Sequence, residues 1–411
     1  MFIFFLIGLF LLNLPPFKFS MLSVQSLFVV INIITFLSIL LINKNRNILI
    51  SKIKNNKIET YLLTGLFIVI SISIIQTLDV YLFLNKYASI LLSLFIYINI
   101  LFFETEIKKY IHIIFLFWIV INLTNELFLF LNANLYLSLL SNFLVDRAYL
   151  SVKDQILRNR LTISTYIEVF LPILYWQYFS AKNNKFFLLI QIVSINILAF
   201  YSGWRIRGII CVISLFQIIY CYFQSIKKSD FFVKLLLFIV FFFIFSLLNT
   251  NFLTNNPTLN RVLYENQDSI SSDKTRTNIL KESLDIFMSN PLFGVGLNNN
   301  YIYRKNSIYS FDKNVNNSTK LVREAGSHNF YIDLLIEIGA FGFIVFLSLL
   351  LFWLNEDKRH IKNSNIFPYI FAYYLILFYA LFHSISGYRF FSILFLLRIM
   401  IRNTKKFPYI Y

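Results

Sequence analysis

The chain holds only two cysteines, Cys211 and Cys221, and both fall in one apolar run. Ten residues separate them, about 15 Å along a helix, so they cannot reach each other within it. No external segment contains a cysteine, and disulfides are not expected to hold the loops. Charge is scarce as well: Asp, Glu, Lys and Arg make up 14% of the 411 residues. There is no Walker A run, no glycine-rich dinucleotide fingerprint, no HExxH and no Cys/His metal set. A paired external Asp motif that would hold a divalent metal beside a sugar diphosphate is missing too. The expectation is no cofactor and no metal. No aromatic-interleaved basic patch stands outside a membrane context, so nucleic acid is not an expected partner. Met1 opens directly into FIFFLIGLFLL, without a basic n-region or a small-residue cleavage site. The start reads as a retained first span rather than a removed signal peptide.

What the chain does have is apolar surface. Hydrophobic residues make up 58% of it and aromatic residues 19%, a balance that soluble proteins of this length rarely reach. The apolar residues gather in stretches close to the ~20 residues needed to cross a bilayer. The fold class is therefore an all-α polytopic membrane protein. Apolar runs between charged breaks give about twelve spans: 1–14, 21–43, 60–78, 87–103, 111–131, 161–180, 186–203, 208–224, 232–249, 330–353, 365–383 and 390–401. Residues 1–249 then form an N-terminal region of nine transmembrane helices and 330–411 a C-terminal region of three. Residues 250–329 form one large loop between them.

Alternate connections differ in charge. One set, 44–59, 104–110, 181–185, 225–231, 354–364 and the tail from Arg402, carries most of the Lys and Arg of the short loops. The other set's short loops hold only Lys18, Lys86, Arg205, Arg207 and Arg389. The positive-inside rule puts the first set and both termini in the cytoplasm, and 132–160 and 250–329 outside. The net charge of +17 is largely this asymmetry, together with attraction to anionic membrane lipid.

Within the large loop, SSDKTRTNILKESLDIFMSNPLFGVG predicts a helix capped by Ser272 or Asp273. Leu280, Leu284 and Phe287 fall on one face, with Lys281, Glu282 and Asp285 facing away. Such a helix lies on the membrane face or on the bundle. Asn290-Pro291 ends it, and Gly294 and Gly296 permit a tight turn.

The predicted external face collects His328, Arg276, Arg205 and Arg207 from separated parts of the chain. A lone arginine at a span end more often snorkels to the interface. Here Arg205 and Arg207 sit on the side where basic residues are scarce, and a guanidinium's forked donors suit a diphosphate. Arg276 lies near the predicted helix N-terminus, whose free N–H groups favour an anion. His328 has a pKa range suited to general-base work. Asp333 and Glu337, four apart inside an apolar segment that begins SHNFYIDLLIEIGAFG, each cost ~2.5–3.5 kcal/mol near a bilayer centre on insertion scales. They read as a functional polar site, or as partners of loop Lys or Arg that fix the bundle. Gly339 and Gly342 most simply let a neighbouring helix approach. Asn122, Asn125 and Glu126 form a second polar cluster, read as glue between helices.

SHNFYIDLLIEIGAFG resembles the signature HN-x-Y-L-x-x-L-x-E-x-G-x-x-G of the O-antigen ligase and O-antigen polymerase superfamily. NPLFGVGLNN is similar to the family's N-P-x-x-G-x-G loop segment, and SGWRIRG to its S/T-G-x-R element. The resemblance covers about 200–345 and the twelve-span layout. It implies a metal-independent GT-C-type glycosyltransferase of the bacterial inner membrane, with its active face in the periplasm. The implied donor is an undecaprenyl-diphosphate-linked glycan, and the acceptor another glycan or a lipid A–core. Arg205 and Arg276 are implied to contact the diphosphate, His328 to activate the acceptor hydroxyl, and Glu337 to support its helix. Because the element here reads S-G-W-R-I-R-G, either Arg205 or Arg207 could fill the arginine role; the spacing after Ser-Gly favours Arg205. Ligase is the favoured activity, repeat-unit polymerase the alternative, and a polysaccharide flippase the reading from another class.

Overall fold

The computed structural model describes residues 1–12, 18–19, 22–132, 135–136, 138, 167–180, 185–201, 205–225, 267–305, 329–360, 366–382 and 388–402. Among these the chain is almost wholly helical. In order come α1 (Phe2–Leu12), a two-residue hairpin of β1 (Lys18–Phe19) and β2 (Leu22–Ser23), α2 (Val24–Leu41), α3 (Asn43–Asn55), α4 (Lys57–Ile72), α5 (Val80–Phe102) and α6 (Glu104–Leu131). Then follow α7 (Leu171–Ser180), α8 (Lys185–Tyr201), α9 (Arg205–Ser225), α10 (Gln267–Ser289), α11 (Asn300–Lys305), α12 (Phe330–His360), α13 (Phe367–Tyr379) and α14 (Tyr388–Ile401). The strands pair antiparallel, Lys18 with Ser23 and Phe19 with Leu22.

Among the described residues four helices are long and apolar enough to cross a membrane: 57–76, 80–102, 104–129 and 330–358. A fifth span is possible if the bent pair α2–α3 counts as one. The chain is thus an all-α, multi-pass membrane protein. The expected span 232–249 lies outside the described residues.

Several boundaries differ from the sequence reading, for one physical reason. Segment 44–59, expected as a loop, is largely helix α3, turned 97° from α2. Its lysines do not end the helix, because Lys52 reaches over to donate to the Phe102 carbonyl at 2.6 Å. Similarly, α5 starts at Val80 rather than 87, with Asp79 as its cap accepting from the Leu82 N–H at 3.1 Å. Lys86 therefore belongs to the second turn of a span, not to an external loop. Helix α6 begins at Glu104 rather than 111, and Lys108 pairs with Glu104 one turn away at 2.9 Å. A charge with a partner extends a membrane helix where an unpartnered one would stop it.

Helix α12 packs along α4, α14 along α5, and α1 and α5 flank α2. One continuous core joins them, with Phe5, Phe28, Ile96, Trp118, Phe170 and Tyr373 fully enclosed. Lipid tails are as apolar as these side chains, so interdigitation and interhelical hydrogen bonds hold the bundle rather than water exclusion. Asn99 donates to the Asn32 carbonyl at 3.0 Å, and the Trp118 indole to the Leu9 carbonyl at 3.0 Å. Asn122 donates to its own helix at Trp118, and the Asn125 amide oxygen accepts from Tyr136, in keeping with a structural reading of that cluster.

Helix α10 packs on α12. It starts at Gln267, so Ser272 and Asp273 lie inside it and are not its caps. Arg276 is the tenth residue of this helix, not in its first turn, and the argument from free N–H groups does not apply to it. The sequence signal misled because Ser and Asp are tolerated within helices as well as at their starts. The buried face also differs. Ile279, Ser283, Ile286 and Glu282, the last expected to face away, are enclosed, whereas Leu280 and Leu284 are exposed.

Candidate active site

Helix α12 is broken. Gly339 has φ +66° and ψ −175°, a backbone region open essentially only to glycine. The break leaves carbonyls and N–H groups of residues 336–341 without their usual partners, a serious cost at membrane depth. The segment NPLFGVG supplies them from outside the helix. Val295 N–H donates to the Ile336 carbonyl at 2.9 Å and Gly296 N–H to the Glu337 carbonyl at 3.0 Å. In return the Ala340 N–H reaches the Pro291 carbonyl at 2.8 Å and the Phe341 N–H the Leu292 carbonyl at 3.3 Å.

Such a backbone-to-backbone seam needs room where side chains would normally stand. A Cβ on Gly294 would come within 2.5 Å of the Glu337 carbonyl carbon, and one on Gly339 would overlap the Leu292 carbonyl. Gly294 and Gly296 also have positive φ, +72° and +85°, consistent with the tight turn expected there. Gly339 plays a different part from the one expected. It admits a loop, not a neighbouring helix. Gly342 faces Ile338 of its own helix.

The seam fixes the polar residues around it. Asn299 is fully buried, and its amide oxygen accepts from Leu78 N–H at 3.1 Å and Asp79 N–H at 2.8 Å. This stitches the loop to the turn before α5. Glu337 is 2% exposed, and both its oxygens lie 2.7 Å from Lys86 Nζ. One of them also accepts the Asn298 N–H at 3.0 Å. Asp333 is buried one turn earlier, with the Asn300 amide 3.4 Å away. Lys86, Asp333 and Glu337 form the charged wall of a cavity of about 60 Å³ whose other walls are apolar side chains of α4, α5, α12 and α14. That is room for a few water molecules, not for a glycan.

Asn329 caps the start of α12, its side-chain oxygen accepting from Tyr331 N–H at 3.0 Å and Ile332 N–H at 3.2 Å. Phe330 N–H is tied to the Ala380 carbonyl at 2.9 Å. His328 is the next residue back along the chain and lies outside the described residues. For Arg276 and Arg205 the structure describes the helix but not the side chain. Arg205 is the first residue of α9.

Arg207, in the first turn of α9, is buried between two carboxylates. Its Nε donates to Glu168, and its Nη2 lies 2.7 Å from Glu126. The structure thus gathers Asp333 and Glu337 around Lys86, and holds Arg207 separately between α6 and the turn before α7. Lys86 and Glu168 were not singled out from the sequence. Both stand in apolar runs, which is the signal that could have marked them. Among the described residues no group of three or more His, Cys, Asp and Glu comes together as a metal site.

Residues 186–347 match the family model described as O-antigen ligase. The matched segment runs from α8 into α12 and takes in Arg205, Arg207, Arg276, the glycine seam, His328, Asp333 and Glu337, but not Lys86. No curated protein matches the chain. This O-antigen ligase domain, less than half of the chain, supports the resemblance of the segment to the O-antigen ligase and polymerase superfamily.

Proposed function

We propose that the chain is an O-antigen ligase-type glycosyltransferase. It moves a glycan from undecaprenyl diphosphate to a sugar hydroxyl of a lipid A–core acceptor, at the periplasmic face of the bacterial inner membrane. The observation that carries this reading is the coincidence of the family match with the seam. The matched stretch is the one whose glycines lock α12 against the loop that follows α10, and it carries in sequence the His328 that directly precedes the capped start of that helix.

The acceptor oxygen attacks the anomeric carbon, the carbon–oxygen bond to the diphosphate breaks, and the bonding pair leaves with the diphosphate. His328 takes the hydroxyl proton, a contribution of typically ~10²–10⁴-fold. Charge grows on the leaving group, so guanidiniums placed beforehand stabilise it where it develops. Direct displacement inverts the anomeric centre with no covalent enzyme intermediate. Arg276 and Arg205 hold the diphosphate in this account. Arg207, its guanidinium already facing Glu126 and Glu168, sets the first turn of α9 and so the place of Arg205. Glu337, with Asp333 beside it, holds the seam and so supports the helix start near which the substrate is bound. A flippase would line a path through the depth of the bundle with such groups, whereas the sequence topology is expected to gather His328, Arg276, Arg205 and Arg207 at one face.

The test is reconstitution. Purified protein in vesicles, given an undecaprenyl-diphosphate glycan and lipid A–core, is expected to form the joined product. Elongation of the lipid-linked glycan alone, with lipid A–core left unmodified, would identify a polymerase. No transfer to either acceptor overturns the reading.

A further inference from the structure

Helix α10 has three faces, not two. Ile279, Ser283 and Ile286 are buried against the bundle, and Ile286 joins Val295 and Ile336 in a small apolar cluster. Next around the helix comes an exposed apolar ridge at steps of four, Leu280, Leu284 and Met288, the last 73% exposed. On the far side of that ridge stand Lys281 and Asp285, also exposed. A helix on a water-facing surface has no use for the second stripe, and a helix wrapped in protein has none for the exposed charges.

The ridge has a continuation. Beyond α10 the turn exposes Leu292 and Phe293, and the Phe293 ring packs against Phe341 of α12 at 5.5 Å. Phe341 begins the outward stripe of a membrane-crossing helix, followed by Ile344 at 59% and Leu351 at 62% exposure. An outward apolar stripe on a span faces acyl chains. The apolar surface of α10 therefore runs into lipid-facing surface without a break in character. Lys281, bordering the ridge, is placed to reach a phosphate while its stem stays with the ridge.

We infer that α10 is an interfacial helix: it docks on α12 by one face and sinks its Leu280–Leu284–Met288 ridge into the acyl chains of the leaflet surrounding the Phe330 end. Its Lys281–Asp285 flank stays in the headgroup layer. Helices of this kind sit with their apolar face ~5–10 Å into the headgroup–acyl boundary. Phospholipid is the occupant, and the helix sets the depth of the glycine seam relative to the membrane surface. The inference does not depend on the glycosyltransferase reading, and its test uses no activity.

The experiment places single nitroxide labels on the full chain in phosphatidylethanolamine–phosphatidylglycerol vesicles, in a background with Cys211 and Cys221 changed to alanine. Labels go at the exposed positions 281, 284, 285 and 288, and at 344 on the span. Collision with oxygen is expected to exceed collision with a water-soluble nickel chelate at 284 and 288, as at 344. At 281 and 285 the order is expected to reverse. Nickel-dominated collision at all four α10 positions would put the helix in water and overturn the inference. Low collision with both reagents at 284 and 288 would mean that protein, such as a second copy of this chain, covers the ridge, and would overturn it equally.

Discussion

At the end of the bundle where α4 begins and α12 finishes, charge is closed off side chain to side chain. Arg402 pairs with Glu59, Arg398 with Asp357 and with Glu356, the latter at 2.8 Å, and the Trp353 indole donates to Glu59 at 3.0 Å. At the opposite end, where α12 begins, the ion pair of Lys86 with Glu337 is embedded in a broken helix whose backbone is completed by a loop. The first end is built from ion pairs between side chains, with Arg398 Nε and Arg402 Nη1 buried without a partner among the described residues. The second uses glycines and backbone bonds, a costlier construction that closure alone would not need. Strained backbone held in place by its surroundings is what a positioned site requires.

The largest effect expected from breaking this contrast is at the seam. Gly339→Ala and Gly294→Ala each force an L-residue into a glycine-only backbone region, ~1–3 kcal/mol before any clash, and each adds a Cβ against backbone that cannot yield. Both should unfold at markedly lower temperature in detergent and lose glycan transfer. Gly65→Ala meets nothing closer than Val345 at 3.8 Å and should be near neutral in both assays. Equal losses at 65 and 339 would mean that the seam is nothing special.

Next in size is the buried pair. Removing one partner leaves an uncompensated charge, ~3–5 kcal/mol, so Lys86→Met alone and Arg402→Met alone should both destabilise. Double replacements separate the two ends. Lys86→Met with Glu337→Met should regain most stability without regaining transfer. Arg402→Met with Glu59→Met should regain both. Transfer that returns with stability at the Lys86 end would reduce that end to a second structural clamp.

A smaller effect divides the two arginines of α9. Arg205→Lys keeps the charge but loses the fork, and should lower donor binding and transfer while leaving the melting temperature unchanged. Arg207→Lys should instead lower the melting temperature, because one ammonium cannot serve Glu126 and Glu168 as a guanidinium does. The reversed pattern would give Arg207 the diphosphate. The smallest effect expected is from EDTA, which should leave transfer unchanged. Loss restored by Mg²⁺ or Mn²⁺ would point to Asp333 and Glu337 as ligands.

The apolar runs could be read because hydrophobic length is a property of consecutive residues. Helices α1, α2, α8 and α9 fall on expected spans within a few residues. Boundaries at Lys52, Lys86 and Lys108 could not, because whether a lysine ends a helix depends on a partner far along the chain: Phe102, Glu337 or, for Lys108, the Arg402 carbonyl at 2.7 Å as well as nearby Glu104. The candidate site was legible as residue types, including Gly294, Gly296 and Gly339. Their joint purpose was not, since the seam exists only once residues 291–296 meet residues 336–341. For α10 the one-residue displacement of the buried face has the same origin. Leu280 and Leu284 are apolar because of lipid, and sequence periodicity does not distinguish lipid from a protein neighbour.

The central claim is that this chain transfers a lipid-linked glycan with His328 as base and Arg276 and Arg205 as the diphosphate's holders. The most direct measurement takes donor binding and glycan transfer separately on folded, membrane-inserted His328→Ala. The account predicts that the undecaprenyl-diphosphate donor still binds and that transfer to lipid A–core is lost. Lysine at that position should not rescue it, being largely protonated near pH 7. Full transfer by His328→Ala would contradict the account and leave SHNFYIDLLIEIGAFG as a packing motif at the mouth of a membrane helix.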